Sequence, residues 1–190
     1  MQNNQIKLKR CGWAEKDPLS QKYHDQLWGK PVYDADQLFK MLILEGAQAG
    51  LSWLTILKRW SDYEEAFHNF DAKKMAAMGE GDILNLMVDS GIIRNRLKIE
   101  SAISNAKIYL KLKGDGINFS KFLWDFVGGE PKVNHPQKAE DFLAQSEESI
   151  KMSKALKKLG FSFVGPTICY AFMQAVGMVD DHEAGCFLHH

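Results

Sequence analysis

Cysteine is scarce in this chain, with only Cys11, Cys169 and Cys186 in 190 residues, too few and too scattered for a disulfide framework. In a reducing compartment such residues serve as core side chains or metal ligands. Net charge is missing as well. The 24 basic and 24 acidic residues cancel, so the global positive bias of many nucleic-acid binders is absent. No apolar run approaches the roughly 20 residues of a membrane span. The longest weakly charged stretch, 41–57, is interrupted by Glu45, Gly46, Gln48 and Gly50. The first ten residues are polar and basic without an apolar centre, unlike a secretory signal. A cytoplasmic protein with no membrane partner is therefore expected. Sustained strand-like alternation, internal repeats and low-complexity tracts are also lacking.

What is present is an ordinary globular composition, 45% hydrophobic and 25% charged, on a chain long enough to bury a core without cross-links. Helical periodicity dominates. It predicts helices over 34–48, with Leu38, Met41, Leu42 and Glu45 on one face, and over 53–67, carrying Trp53, Ile56, Leu57 and Trp60. Asp71 and Asp82 are N-cap candidates for two short helices. A long helix is expected over 94–113, an aromatic one over 119–126, a polar loop over 128–147, and a final helical pair over 149–159 and 166–176. The fold class is all-α, and residues 1–190 are expected to form one domain of two tightly packed helical lobes.

Charge is unevenly placed. The 62–89 stretch carries seven acids against two lysines, 94–113 six basic residues against Glu100, and 150–165 four lysines and no acid. Such runs are commonly solvated faces; two basic runs on one face would instead make a phosphate-attracting patch.

Three constellations carry chemistry. Around 150–177, a lysine-rich helix containing Lys158 ends near Gly160, a hydrophobic hairpin follows, and Pro166 can open the next helix. The Val164-Gly165-Pro166-Thr167 segment would leave free amides able to bind a phosphate oxygen. The pattern resembles a helix-hairpin-helix motif, although Phe163 stands where the usual hairpin has its first glycine and Cys169 where it has an alanine. A plain turn between core helices is the alternative. Second, Cys11 and His24 near one end and His182-x3-Cys186 near the other could supply two thiolates and two imidazoles to a closed tetrahedral zinc site, with 182 and 186 on one helical face. Unrelated residues are the alternative. Third, Glu45 is the lone charge in an apolar stretch. It is either a structural carboxylate bonded to amides or a tyrosine hydroxyl, or a recognition carboxylate. Trp13, Tyr23, Trp28 and Trp53 are near in sequence, and an acid among aromatic rings suits a flat cation.

Taken together, Cys11-Gly12-Trp13, Asp17-Pro18, Tyr23-His24-Asp25, Trp28-Gly29, Leu44-Glu45-Gly46, Gln48-Ala49-Gly50-Leu51-Ser52-Trp53, Gly91-Ile92-Ile93-Arg94, Phe161-x-Phe163-Val164-Gly165 and His182-x3-Cys186 resemble the bacterial 3-methyladenine DNA glycosylase I family over roughly residues 11–186. The resemblance implies a helix-hairpin-helix glycosylase fold that flips a damaged base out of duplex DNA. It implies monofunctional hydrolysis releasing 3-methyladenine by a monomer, and a structural zinc on Cys11, His24, His182 and Cys186. Glu45 would accept hydrogen bonds from the base's amino group, Trp53 and Tyr23 would stack on or bond to the base, and Trp13 and Trp28 would complete the wall. Gln48, Gly50 and Leu51 would probe the DNA and fill the gap, while Lys158, Val164, Gly165 and Thr167 would hold the backbone. Asp180 and Asp181 are expected to cap the helix of His182. Ser20 and Ala171 depart from the tyrosine and serine of relatives at positions expected to line the pocket. A catalytically weak damage-binding module and a zinc hydrolase are the competing readings.

Overall fold

Polar residues start most of the helices by accepting from backbone amides of the first turn. Asp17 caps α1 (Pro18–Gln26), Asp34 α2 (Ala35–Gln48), Ser52 α3 (Trp53–Leu57) and Asp71 α5 (Ala72–Ala77). Asn95 caps α7 (Arg96–Gly114), Asn118 α8 (Phe119–Trp124) and Ser146 α9 (Glu147–Lys158). The computed structural model describes residues 8–189, with α4 (Trp60–Ala66), α6 (Glu80–Val88) and α10 (Pro166–Ala175) completing the helices. Residues 1–7 of the basic N-terminal stretch lie outside the described residues. No helix among the described residues is long and apolar enough to cross a membrane.

The fold is organised around α2, buried on every side from Met41 to Ala47. A helix apolar all round must lie within the protein, and α7, α10, α3 and α8 surround this one. Its Glu45 is thereby carried into the interior.

Several expectations change. The 53–67 segment is two helices, because Arg59 leaves helical geometry at φ −114°, ψ 8°. The bend lets the Trp53 and Trp60 rings meet edge-on, 6.3 Å apart. Asp82 is not an N-cap: it sits in the first turn of α6 and accepts from the Gly79 amide at 2.8 Å. The 128–147 loop contains β1 (Lys132–Val133), which pairs in parallel with β2 (Val179–Asp180). Residues 181–189 form no helix, so Asp180 and Asp181 cap none, and His182 and Cys186 do not share a helical face.

The 159–165 hairpin between α9 and α10 is clamped from α7. Asn105 donates through Nδ2 to the Ser162 carbonyl at 3.0 Å and accepts from the Ser162 amide at 2.9 Å. Val164 is held by Ser153, whose hydroxyl donates to its carbonyl at 2.6 Å, and by the Cys169 thiol at 3.4 Å. Cys169 is thus a buried small residue of α10, its thiol pushed up to about 12 by burial. Phe163 takes the left-handed φ of 56° that glycine would adopt without strain. Asn105→Ala should cost about 1–3 kcal/mol, since it strands both backbone groups of Ser162. Urea denaturation would read this as a lower midpoint at unchanged slope.

Candidate active site and metal cluster

Glu45 opens into a cavity of about 240 Å³ lined by Trp13, Tyr23, Trp28, Gln48, Trp53, Phe142, Ala171 and Gln174. All five aromatic and acidic residues singled out from the sequence therefore meet in one place. The residue is 3% exposed, and no group among the described residues hydrogen-bonds its carboxylate. The structural reading, a carboxylate bonded to amides or a tyrosine, fails on that point. Burial alone pushes its pKa from 4.5 up to about 8, so the free site holds a neutral carboxylic acid at neutral pH. The Tyr23 hydroxyl and the Trp53 indole N–H are buried beside the cavity with no hydrogen-bond partner among the described residues. Burial, with the Glu45 charge second, raises the Tyr23 phenol well above its ordinary value.

The walls are rings set at angles. Trp13 meets Trp28 edge-on at 5.1 Å, and Tyr23 lies tilted to Trp53 at 5.3 Å. Such a cage offers both π faces and edges to a flat guest, with a carboxylate at its base. Ala171 lines the cavity as expected. Ser20 is buried but not among the lining residues, so its departure from relatives leaves the cavity wall untouched.

Behind the aromatic wall lies the second constellation. Helix α1 sends Tyr23 to the cavity and its neighbour His24 to the opposite side. There, ligand atoms of Cys11, His24 and Cys186 lie within 4.8 Å of one another, all buried, a cluster that could hold a metal ion and that joins the two ends of the chain. His24 Nδ1 lies 2.9 Å from Asp25 Oδ1, and Arg10 grips Asp25 through both Nε and a terminal nitrogen. Backbone amides of Glu183 and Leu188 donate to the sulfurs of Cys11 and Cys186 at 3.4 Å each. Burial pushes the Cys11 thiol up to about 12 and, despite Asp25, the His24 imidazole down. His182 completes the neighbourhood. Its ring is 5.2 Å from that of His24, its Nδ1 is 2.6 Å from Asp180 Oδ1, and its Nε2 is buried without a hydrogen-bond partner among the described residues. Gly29, at φ 76°, lets this ring in, because a Cβ there would overlap His182 Cε1. His68 and His135 are exposed and outside the cluster.

The turn after α2 presents Leu51, 37% exposed, on Gly50, whose φ is 77°. Gln48 links this turn to the cavity: it lines the wall, and its amide nitrogen donates to the Leu51 carbonyl at 2.6 Å. Lys98 closes the end of α2 by donating to the carbonyls of Ala47 and Ala49 at 2.8 and 2.6 Å. In the hairpin, nothing among the described residues accepts from the amides of Val164, Gly165 and Thr167, and Gly165 provides no side-chain cap to α10. Exposed Lys154, Lys157 and Lys158 stand on α9 without acidic partners, whereas Arg96, Lys111 and Lys113 of α7 are paired with acids. The lysine-rich side of the hairpin is thus an open basic surface, whereas half of the basic residues of the 94–113 run are neutralised.

Two cavity residues escaped the sequence reading. Phe142 comes from the long loop, where nothing signals an inward ring. Gln174 lies on α10 one turn after Ala171, a spacing that could have drawn it in once Ala171 was placed.

The sequence profile of the methyladenine glycosylase family matches residues 13–189. The DNA-3-methyladenine glycosylase 1 of Escherichia coli (strain K12) is 49% identical over 179 residues, covering 94% of this chain and 96% of its own. A crystal structure of a 3-methyladenine DNA glycosylase I superposes with a TM-score of 0.94 at 47% identity, covering 96% of this chain and 100% of the other. A structure of the Staphylococcus aureus enzyme, described as the basis of its 3-methyladenine recognition, gives a TM-score of 0.89 at 42% identity over 95% of this chain and 96% of its own.

Proposed function

The chain belongs to the methyladenine glycosylase family and is a DNA-3-methyladenine glycosylase, and we propose that it excises the base by flipping it into the Glu45 cavity. The observation that carries this reading is the buried, unpartnered Glu45 carboxyl at the base of an aromatic cage. N3-methylation makes the adenine of the nucleotide a cation. Inside the cage, Trp53 and Tyr23 face its π system, with Trp13 and Trp28 as outer wall, and the ionised Glu45 balances its charge. A bound cation draws the carboxyl pKa down, so entry of the damaged base and loss of the Glu45 proton are coupled. Neutral adenine gains less from the same cage.

The leaving group needs little acid catalysis. As the C1′–N9 bond breaks, its electron pair neutralises the purine cation, water adds to C1′ and loses a proton, and neutral 3-methyladenine departs from an abasic site. No lysine lines the cavity, which supports hydrolysis rather than Schiff-base chemistry. The duplex partner is held by phosphates at the free amides of Val164, Gly165 and Thr167 and at Lys158, while Gln48, Gly50 and Leu51 probe the stack and fill the vacated space. We assign His182 as the fourth ligand beside Cys11, His24 and Cys186: its buried Nε2 has no other partner, and two sulfurs with two imidazoles suit a closed structural zinc.

Incubation with methylated duplex DNA and chromatography of the freed bases tests the reading. Release of 3-methyladenine is expected; tight binding to methylated duplex without release would leave a damage-binding module instead. Leu51→Ala should slow release from duplex about tenfold, as the lost wedge surface no longer offsets unstacking. Affinity for free 3-methyladenine should stay unchanged, because Leu51 does not line the cavity.

A further inference from the structure

Asp181 is buried, follows the hairpin, and has no part in the chemistry so far. Its two oxygens are fully engaged. Oδ1 accepts from Asn134 at 2.7 Å, and Oδ2 accepts from the Tyr170 hydroxyl and the Gln174 amide nitrogen, both at 2.7 Å. Three short donors occupy this carboxylate, so its oxygens are committed to neighbouring side chains. What it does is orient. Tyr170 and Gln174 are one turn apart on α10, and parallel pairing of β1 with β2 brings Asn134 alongside. One N–H of Gln174 is given to a carboxylate, which can only accept, so the amide turns its nitrogen toward Asp181 and its oxygen away from it, and Gln174 lines the Glu45 cavity. Nothing among the described residues donates to that oxygen.

We propose that Gln174 is a specificity-determining residue whose Oε1 accepts from the exocyclic amino group of the flipped base, and that Asp181 is the positioning residue that keeps this oxygen, rather than the amide nitrogen, facing the base. The proposal rests on the cavity being the base pocket. An adenine-type amino group carries two N–H donors, so it can serve Glu45 and Gln174 together. A purine without that group leaves the Gln174 oxygen unpaired in a desolvated site, which is a larger penalty than the bond itself is worth. The cage then selects for positive charge and the fixed acceptor selects for the amine.

The test is a cycle between protein and ligand. Affinities of the full chain for free 3-methyladenine and for 3-methylpurine, which lacks only the amino group, are measured for the wild type, Gln174→Met and Asp181→Asn, with metal content checked in each. Deleting the amine should weaken wild-type binding by more than tenfold, and Gln174→Met should shrink that ratio about three- to tenfold, the worth of one hydrogen bond. Asp181→Asn should shrink it with Gln174 intact, since a neutral partner no longer dictates the amide's orientation. A general packing defect would weaken both ligands alike and leave the ratio unmoved. An unchanged ratio in Gln174→Met overturns the proposal for that residue, and an unchanged ratio in folded Asp181→Asn overturns the positioning role. A wild type that binds both bases yet frees none from methylated duplex sinks the function reading instead, while one that binds neither sinks both.

Discussion

Glu45→Gln should lower kcat/KM for release of 3-methyladenine by roughly 100-fold or more, the scale of removing one charge partner from a desolvated transition state, and should at the same time stabilise the protein above neutral pH. The two effects share one cause. The carboxyl is raised from 4.5 to about 8 in the folded chain by burial. Between those values the unfolded chain has given up a proton that the folded chain retains, so stability falls as pH rises through that window. By pH 8 the cost is on the order of 4 kcal/mol. Glutamine never ionises and escapes it. Thermal denaturation should therefore show little difference between wild type and variant at pH 4 and a widening advantage for the variant toward pH 8. Activity moves the opposite way. If the ionised form balances the cation, wild-type kcat/KM rises with pH and levels off near 8, the value of the free site. Tyr23, the other titratable group at this cavity, stays neutral over that range because burial holds its phenol well above its ordinary value. The residual activity of the variant should be flat with pH. Full activity in Glu45→Gln would refute the assignment.

The trade of stability for a poised charge explains why Glu45 was legible in the sequence. A single acid in an apolar helical stretch breaks the local pattern, and such breaks concentrate at functional sites. Helix starts were legible for a similar reason: Asp34 and Asp71 cap through bonds to residues two or three positions away, a purely local device. Asp82 misled because a side chain three residues inside the first turn has nearly the same local signature as a cap. What depended on distant partners was hidden. Nothing between Trp53 and Phe67 breaks a helix, since no glycine or proline occurs there. The bend at Arg59 is imposed by packing, which outweighs the few tenths of a kcal/mol of propensity at stake. The pairing of β1 with β2 joins residues 132–133 to 179–180, too short on either side to show alternation.

The candidate site divides along the same line. Glu45 differs in kind from its neighbours and stood out, whereas the spacing of Cys11, His24, His182 and Cys186 left unrelated residues as the alternative, and only the family resemblance joined them. Gln174 and Phe142 did not stand out, since each is an ordinary residue until the chain folds them toward the cavity. The spacing of His182 and Cys186 suggested a helix that does not exist. Turns instead bring Cys186 to Cys11 and His24 and set the His182 ring 5.2 Å from that of His24.

Removing the zinc proposed for the cysteine and histidine cluster should produce a large loss of stability. Cys11, His24 and Cys186 lie at opposite ends of the sequence, with their ligand atoms already gathered in the interior. Both imidazoles are held from behind, His24 by Asp25 and His182 by Asp180, and His24 Nε2 lies 3.4 Å from Cys186 Sγ. Binding free energy at such a site is folding free energy, because the unfolded chain has no comparable site. Chelation, or Cys11→Ser, should lower the melting temperature by about 15 °C or more, the shift expected for a loss of roughly 5 kcal/mol in a chain of this size. Elemental analysis should find one equivalent of zinc in the wild type and far less in the variant. The thiol of Cys11, pushed up to about 12 when unmetallated, must lose its proton for the metal to bind, so affinity should weaken as pH falls and binding should release protons into a weak buffer. Excision should fail together with folding, since Trp28 lines the cavity and meets the His182 ring edge-on at 4.7 Å, and so transmits any collapse of the cluster to the cage. At a temperature where the variant remains folded, release of 3-methyladenine should recover to near the wild-type rate. If the metal instead carried out the chemistry, activity would vanish in a variant that is still folded, and that result would overturn the structural assignment.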